Sequence, residues 1–273
     1  MRAPLEEAFP RPGVIGVVNV TPDSFSDRGE FLAPEDAVAQ ARRLLDEGAV
    51  LVDVGGESTR PGSEGVSADE ELRRVEPVLE GLQGMPLSID TSKAEVARRA
   101  LALGASMVND VTALRGEADL AGVVAEADAY LCLMHMLGEP RTMQTNPRYD
   151  DVVADVKAFL EERLGAAVAA GILEEHVCLD PGIGFGKTVE HNLELLARLD
   201  ELVALGRPVL VGASRKRFLG RVLGDPDALE GSVPAGIAVA VLAYERGASF
   251  FRVHDVREHV EALRAVKALV EVA

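Results

Sequence analysis

Basic residues are scarce in this chain. Lysine and arginine number 28 against 45 aspartates and glutamates, a formal net charge of −17 over 273 residues. That imbalance argues against a nucleic-acid-binding surface and against attraction to anionic membranes. An anionic ligand would have to meet a local basic pocket that defies the global charge. Only two cysteines are present, Cys132 and Cys178, in separate apolar runs. They have neither metal-ligand spacing nor a disulfide framework, and they read as small buried apolar residues. No uninterrupted apolar stretch reaches the ~18 residues of a membrane span. Glu6 and Glu7 stand where a signal peptide would need apolar residues, so the expected setting is the reducing cytoplasm.

Several catalytic signatures are missing as well. There is no HExxH, HxxxH or cysteine cluster, which argues against a zinc catalyst. There is no GxSxG nucleophile elbow. The run Gly186-Lys187-Thr188 resembles the end of a phosphate-binding Walker A loop. That motif needs a glycine five positions before Gly186, and the residue there is Pro181.

What the chain does have is an alternation repeated eight times after a Pro-rich lead-in over 1–13. Short, nearly all-apolar runs at 14–20, 50–56, 87–91, 106–111, 130–136, 177–182, 208–214 and 250–255 read as strands buried on both faces. Between them lie Ala/Leu/Glu/Arg-rich segments of helical period, for example 34–48, 68–82, 93–104 and 151–171. Several of these helical segments end on glycine, at Gly48, Gly104, Gly171 and Gly247. Eight such units without a linker or a change of composition predict one domain over 1–273, a (β/α)8 TIM barrel, in preference to a doubly wound sheet.

In such barrels chemistry sits at the C-terminal ends of the strands. Those ends carry Asn19, Asp53, Asp90, Asn109 with Asp110, His135, Asp180, Ser214, and Arg252 with His254. Polar residues collect where an active site would have to be, and this bias predicts an enzyme.

The most informative stretch is 179–192, LDPGIGFGKTVEHN. An apolar strand ends in Asp180 and runs into a loop with three alternating glycines, which let backbone approach a ligand closely. Asp180 either caps the next helix or accepts paired N–H donors of a flat, amino-substituted ring. Asp90 and Asn109 leave the same two readings open. Loops 19–31 and 55–67, after the first two strands, exceed what a short barrel connection needs. The first holds Phe25 and Asp27; the second holds Thr59, Arg60 and Pro61. They are expected to be mobile and to close over bound ligand. Ser214, Arg215, Lys216, Arg217, Arg252 and His254 predict a cationic cluster after strands 7 and 8, a common phosphate site in these barrels. Asn19 is placed to bind a hard cation that is otherwise held by substrate phosphates and water.

The segments GVVNVTPDSFSD, DVGGESTRPG, SIDTSK, VNDV, LMHM, LDPGIGFGKTVEHN, GASRKRFLG and RVHDV closely resemble the dihydropteroate synthase family, the folate-pathway transferases inhibited by sulfonamides. The match spans nearly the whole chain in order. It departs at Arg28, where the family's loop usually reads Gly-Gly after Ser-Asp, and at Ser92, where many relatives carry Tyr. The resemblance implies condensation of (7,8-dihydropterin-6-yl)methyl diphosphate with 4-aminobenzoate, assisted by Mg2+, through an SN1-like route. It implies Asp180, Asn109, Asp90 and Lys216 around the pterin. Arg252 and His254 would bind the diphosphate, with Asn19 on the metal and Thr59 and Arg60 from the second loop. Phe25, Pro61 and Phe185 would surround the aminobenzoate ring, with Ser214 near its carboxylate, and Asp27 would stabilise the cation or the attacking amine. Asp27, Asp90, Lys216 and Arg252 are the implied catalytic residues. A homodimer is also implied. The alternatives are a pterin-dependent methyltransferase working with a corrinoid protein, which has no use for the TRPG and SRK elements, and a non-catalytic pterin-binding protein.

Overall fold

The structure is a computed structural model, and it describes residues 2–21, 33–60 and 62–272. Strands and helices alternate through the chain. The first half runs α1 (Leu5–Ala8), β1 (Gly13–Asn19), α2 (Pro34–Asp46), β2 (Leu51–Gly55), α3 (Ala68–Gly81), β3 (Leu87–Asp90), α4 (Ala94–Ala102), β4 (Met107–Asp110) and α5 (Leu120–Glu126). The second half runs β5 (Tyr130–Met134), α6 (Val152–Ala169), β6 (Val177–Asp180), α7 (Val189–Ala197), α8 (Asp200–Val203), β7 (Leu210–Val211), α9 (Arg217–Val222), α10 (Val233–Glu245), β8 (Phe250–Val253) and α11 (Val256–Val270).

All eight strands are parallel, in the order β6-β5-β4-β3-β2-β1-β8-β7. A parallel bridge between Leu179 and Val209 joins the two outer strands and closes the (β/α)8 barrel. The helices stop where the sequence says they should. Gly48, Gly104, Gly171 and Gly247 each follow a helix with φ between +95° and +109°, the left-handed conformation that terminates helices. Ser67 and Asp151 cap α3 and α6 by accepting from backbone N–H groups of the first turn.

Side chains alternate across each strand, so residues two apart share a face. Ile15, Leu51, Met107, Tyr130, Cys132, Cys178, Leu210 and Phe250 fill the barrel interior. The outward residues, such as Val14, Val18, Val52, Val54 and Ile89, pack beneath the helices. Fully burying a side chain of this size contributes about 1.5–3 kcal/mol. The lead-in over 1–13 has a task of its own: Leu5 joins the interior cluster and Tyr130 Oη donates to the Ala3 carbonyl at 2.8 Å. Phe9 meets the rings of Tyr130 and Phe250 edge-on, with centroids 5.6 and 6.4 Å apart. These contacts plug the N-terminal end of the barrel, so the polar C-terminal end is the one left for chemistry. Cys132 and Cys178 are buried, free and paired in register on β5 and β6, as the composition predicted.

Candidate active site

The strand period carries the inner face upward from the apolar layer to charged residues. Leu51 is followed on that face by Asp53, Met107 by Asn109, Cys178 by Asp180, and Phe250 by Arg252. On each of these four strands the inward face therefore changes from apolar to polar in one two-residue step, close to the C-terminal end. Arg252 reaches across the mouth: Nε donates to Asp53 Oδ2 at 2.6 Å and a terminal nitrogen donates to Asp90 Oδ2 at 2.7 Å. Asn109 Nδ2 donates to the same Asp53 oxygen at 2.9 Å. Asp53, Asp90 and Asn109 are all buried. Burial raises the pKa of Asp90, and the Arg252 charge opposes that rise. Asp110, one residue past Asn109, faces the other way. It accepts from the backbone N–H groups of Thr112 and Leu114, so Asp110 braces the turn after β4 and Asn109 is left to the site.

Asp180 is buried at the end of β6, and its Oδ1 accepts from Gly182 N at 2.7 Å. Burial lifts its pKa, opposed first by the Lys216 charge. Lys216 donates to the Ile183 carbonyl, and its ammonium lies 4.7 Å from the centre of the Phe185 ring, a cation–π contact. Burial pushes the Lys216 amine down to about 8, with Asp180 pulling the other way. Phe185 packs against an apolar wall of Val111, Met134, Met136 and Met143. Carboxylate, amide, ammonium and a flat apolar wall thus face one mouth. They suit a planar heteroaromatic ring with N–H donors along its edge.

On the β1, β7 and β8 side lies a second corner. Ser214 and His254 meet there, Oγ to Nδ1 at 3.2 Å, and the Ser214 hydroxyl also accepts from the His254 backbone N–H at 3.3 Å. Burial pushes the His254 imidazole down to about 3, helped by the fields of Arg252, Arg215 and Arg60. A cavity of about 230 Å3 opens beside it, lined by Asn19, Arg43, Glu47, Arg215, His254 and Asp255 among others. Gly55 leaves room between Asn19 and Asp90: a Cβ there would lie 3.5 Å from Asn19 Oδ1 and 3.7 Å from Asp90 Oδ2.

The expected cationic cluster is divided among three places. Lys216 and Arg252 belong to the central mouth. Arg215 is held bidentately by Asp255, Nε to Oδ2 at 3.0 Å and a terminal nitrogen to Oδ1 at 2.5 Å. Arg217 begins α9 and is exposed. The imidazole of His254 is neutral near pH 7, so it offers hydrogen bonding in place of charge.

The second long loop starts beside the site and is cinched at its base. Glu57 Oε1 accepts from Val66 N at 2.9 Å across the loop, and Oε2 accepts from Lys93 Nζ at 2.6 Å. Lys93 also donates to buried Glu71 at 2.6 Å. Gly62 N donates to the Pro140 carbonyl at 3.2 Å, tying this loop to the one after β5. Thr59 is half-buried and Arg60 exposed on it. Phe25, Asp27 and Pro61 lie outside the described residues.

Local sequence assigns no role to Asp53, Lys187 or the Glu57–Lys93–Glu71 triad. The signal for Asp53 was available, because it follows Leu51 on the inward face. Their partners, on β4 and β8 or across loops, are not written in local spacing.

Among the described residues, no three His, Cys, Asp or Glu side chains form a metal cage. Asn19 lines the cavity and could supply one oxygen ligand to a hard cation otherwise held by phosphate oxygens and water.

The profile of the family described as pterin binding enzyme matches residues 15–254. A dihydropteroate synthase from Neisseria meningitidis serogroup C is 46% identical over 272 residues, spanning 97% of this chain and 95% of the relative. The structure of the Yersinia pestis dihydropteroate synthase in complex with a sulfonamide drug superimposes with a TM-score of 0.90 at 45% identity, covering 96% of this chain and 95% of that one. The Xanthomonas albilineans dihydropteroate synthase with 4-aminobenzoic acid gives a TM-score of 0.85 at 49% identity, over 95% and 93% of the two chains.

Proposed function

The chain belongs to the family of pterin-binding enzymes, and on that premise we propose that it catalyses the dihydropteroate synthase reaction. (7,8-Dihydropterin-6-yl)methyl diphosphate and 4-aminobenzoate give 7,8-dihydropteroate and pyrophosphate. The observation that carries this reading is the division of the mouth into two adjoining halves. One half, Asp180, Asn109, Lys216 and the Phe185–Met wall, suits a flat ring. The other, Asn19, Arg60, Ser214 and His254, suits a diphosphate.

The bond between the pterin methylene and the diphosphate oxygen breaks, and the electron pair leaves with pyrophosphate. The aminobenzoate nitrogen then bonds to the methylene and loses a proton. Asp180 accepts from the ring's 2-amino and N–H donors, while Asn109 and Lys216 serve its remaining edge. Arg252 is fixed by Asp53 and Asp90, so its charge stands ready between ring and leaving group with no reorganisation at the moment of bond cleavage. Negative charge grows on the diphosphate as the bond lengthens, and His254 and Ser214 meet it with hydrogen bonds. Mg2+ held by Asn19 and the phosphate oxygens would neutralise part of that charge. The resulting route is SN1-like and needs no covalent enzyme nucleophile. Phe25, Asp27 and Pro61 keep the roles that the resemblance implies for them, Asp27 stabilising the cation or the attacking amine and the other two beside the aminobenzoate ring.

A second copy of this chain is the proposed partner, and α10 is the proposed face. Its sequence VPAGIAVAVLAYE is uncharged until Glu245, and a helix apolar all round calls for cover on more than its core side. Leu242 on α10 and Leu193 on α7 are 38% and 43% exposed. Among the described residues, no helix is long and apolar enough to cross a membrane. With two free cysteines and a small-molecule reaction, the cytoplasm is the proposed location. Turnover with both substrates, read as pyrophosphate release, tests the function; light scattering of the purified chain tests the dimer.

A further inference from the structure

Lys187 is a buried charged side chain of the Gly-rich stretch that the reaction does not use. It is 3% exposed. Its Nζ lies 2.8 Å from His135 Nδ1, 3.0 Å from the Gly182 carbonyl and 3.0 Å from the Phe185 carbonyl. As an ammonium it donates to all three. As a neutral amine it donates to both carbonyls and accepts from His135, so the two carbonyl bonds persist in either state.

Those carbonyls stand at the two ends of the loop that shapes the ring-binding half of the mouth. Every carbonyl from 182 to 186 has a donor. Lys187 serves Phe185 and shares Gly182 with the Phe185 N–H, Lys216 serves Ile183, Gln144 serves Gly184, and Tyr149 serves Gly186. The loop has no slack on the His135 side, because a Cβ on Gly182 would fall 1.8 Å from the His135 carbonyl oxygen. Gly182 N in turn donates to Asp180, and Phe185 carries the ring that faces Lys216.

We propose that Lys187 is a positioning residue for ring recognition. One buried amine clamps both ends of the loop. It thereby fixes three groups that touch the ring: the Asp180 carboxylate through Gly182 N, the Phe185 ring through its own carbonyl, and the Lys216 ammonium through the Ile183 carbonyl. The proposal rests on the reading that this half of the mouth takes a pterin. It separates Lys187 from the anion corner, which is built on β1, β7 and β8 and shares none of these bonds.

The test uses the full chain and two probes measured separately by calorimetry: 6-hydroxymethylpterin without phosphates, and pyrophosphate with Mg2+. Lys187→Met removes all three hydrogen bonds at similar volume. The expected result is hydroxymethylpterin binding weaker by about tenfold or more, the scale of orphaning a buried acceptor, here the Phe185 carbonyl, with pyrophosphate affinity unchanged within about twofold. Lys187→Gln keeps an N–H donor and should recover part of the pterin affinity. Equal loss for both probes, or pterin binding within about twofold of wild type in Lys187→Met, would overturn the proposal. If Lys187→Met does not fold, the same ratio of affinities is read on Lys187→Gln; failure of both to fold assigns Lys187 to core stability and also overturns it. Failure of the wild type to bind hydroxymethylpterin would strike the pterin reading itself.

Discussion

Arg252 and Asp53 meet across β1, the strand between their own: Nε of Arg252 donates to Asp53 Oδ2 at 2.6 Å, and the same oxygen accepts from Asn109 at 2.9 Å. A single carboxylate oxygen therefore sets the position of one residue from β8 and one from β4. Asp53 is 1% exposed, so this ion pair is screened little by solvent.

Removing Asp53 should cost both stability and binding. Asp53→Ala leaves Arg252 with Asp90 as its remaining carboxylate partner and Asn109 without its acceptor. The expected loss is about 3–5 kcal/mol of folding stability, the scale of breaking a buried pair, with Asp53→Asn losing less. Urea unfolding monitored by circular dichroism checks it. Stability within about 0.5 kcal/mol of wild type in Asp53→Ala would mean the pair contributes little beyond its own desolvation.

Asp180→Asn presents a donor where the pterin presents donors. We expect ~2–4 kcal/mol lost in pterin binding, the scale of losing a charged partner in a buried site. Calorimetry with hydroxymethylpterin measures it, and an unchanged affinity would remove Asp180 from the site.

His254 should take up a proton when diphosphate binds. In the free protein its pKa is pushed down to about 3, and an adjacent anion favours the charged form and raises it. A group whose pKa is higher in the complex strengthens binding at low pH, and that gain is lost as pH rises through the complex's pKa. Pyrophosphate titrations at pH 6 in buffers of different ionisation enthalpy should show net proton uptake, reduced in His254→Ala. Identical uptake in the variant would assign the proton elsewhere. Arg252→Ala is a poorer probe of this corner, because it also strands two buried carboxylates.

Sulfonamide binding should depend on pyrophosphate and Mg2+. Ordering a loop costs roughly 1–2 kcal/mol per residue fixed, and diphosphate contacts to Arg60 would offset part of that on the 57–67 loop. The Glu57 bonds to Val66 and Lys93, with the Gly62–Pro140 bond, already hold much of this loop, which limits the ordering cost that the ligands must offset. Equilibrium titration of a sulfonamide with and without pyrophosphate–Mg2+ reads the effect. Tight binding to the unliganded protein, unchanged by those ligands, would sink the ordered mechanism.

The barrel was legible because its strands are buried on both faces and therefore read as short apolar runs between helical segments. The site's outline was legible because barrel chemistry sits at strand ends, and Asn109, Asp180 and Arg252 each close an inward-facing row. Pairing across the barrel was not. Nothing near Asp53 in sequence indicates that it joins Asn109 and Arg252. Nothing near Arg215 shows that Asp255 neutralises it, which is why the cationic cluster looked larger than it is. Lys187 sits in sequence at the end of a Walker-like run that Pro181 breaks, and its carbonyl partners emerge only once the loop is folded. The plug formed by Leu5 and Phe9 was hidden in a Pro-rich lead-in without periodicity.

The central claim is tested most directly by incubating the purified chain with (7,8-dihydropterin-6-yl)methyl diphosphate, 4-aminobenzoate and Mg2+, and following pyrophosphate and 7,8-dihydropteroate together. The two products should appear in equal amounts and only when both substrates are present. Pterin binding without either product, or pyrophosphate released at the same rate without aminobenzoate, would contradict it.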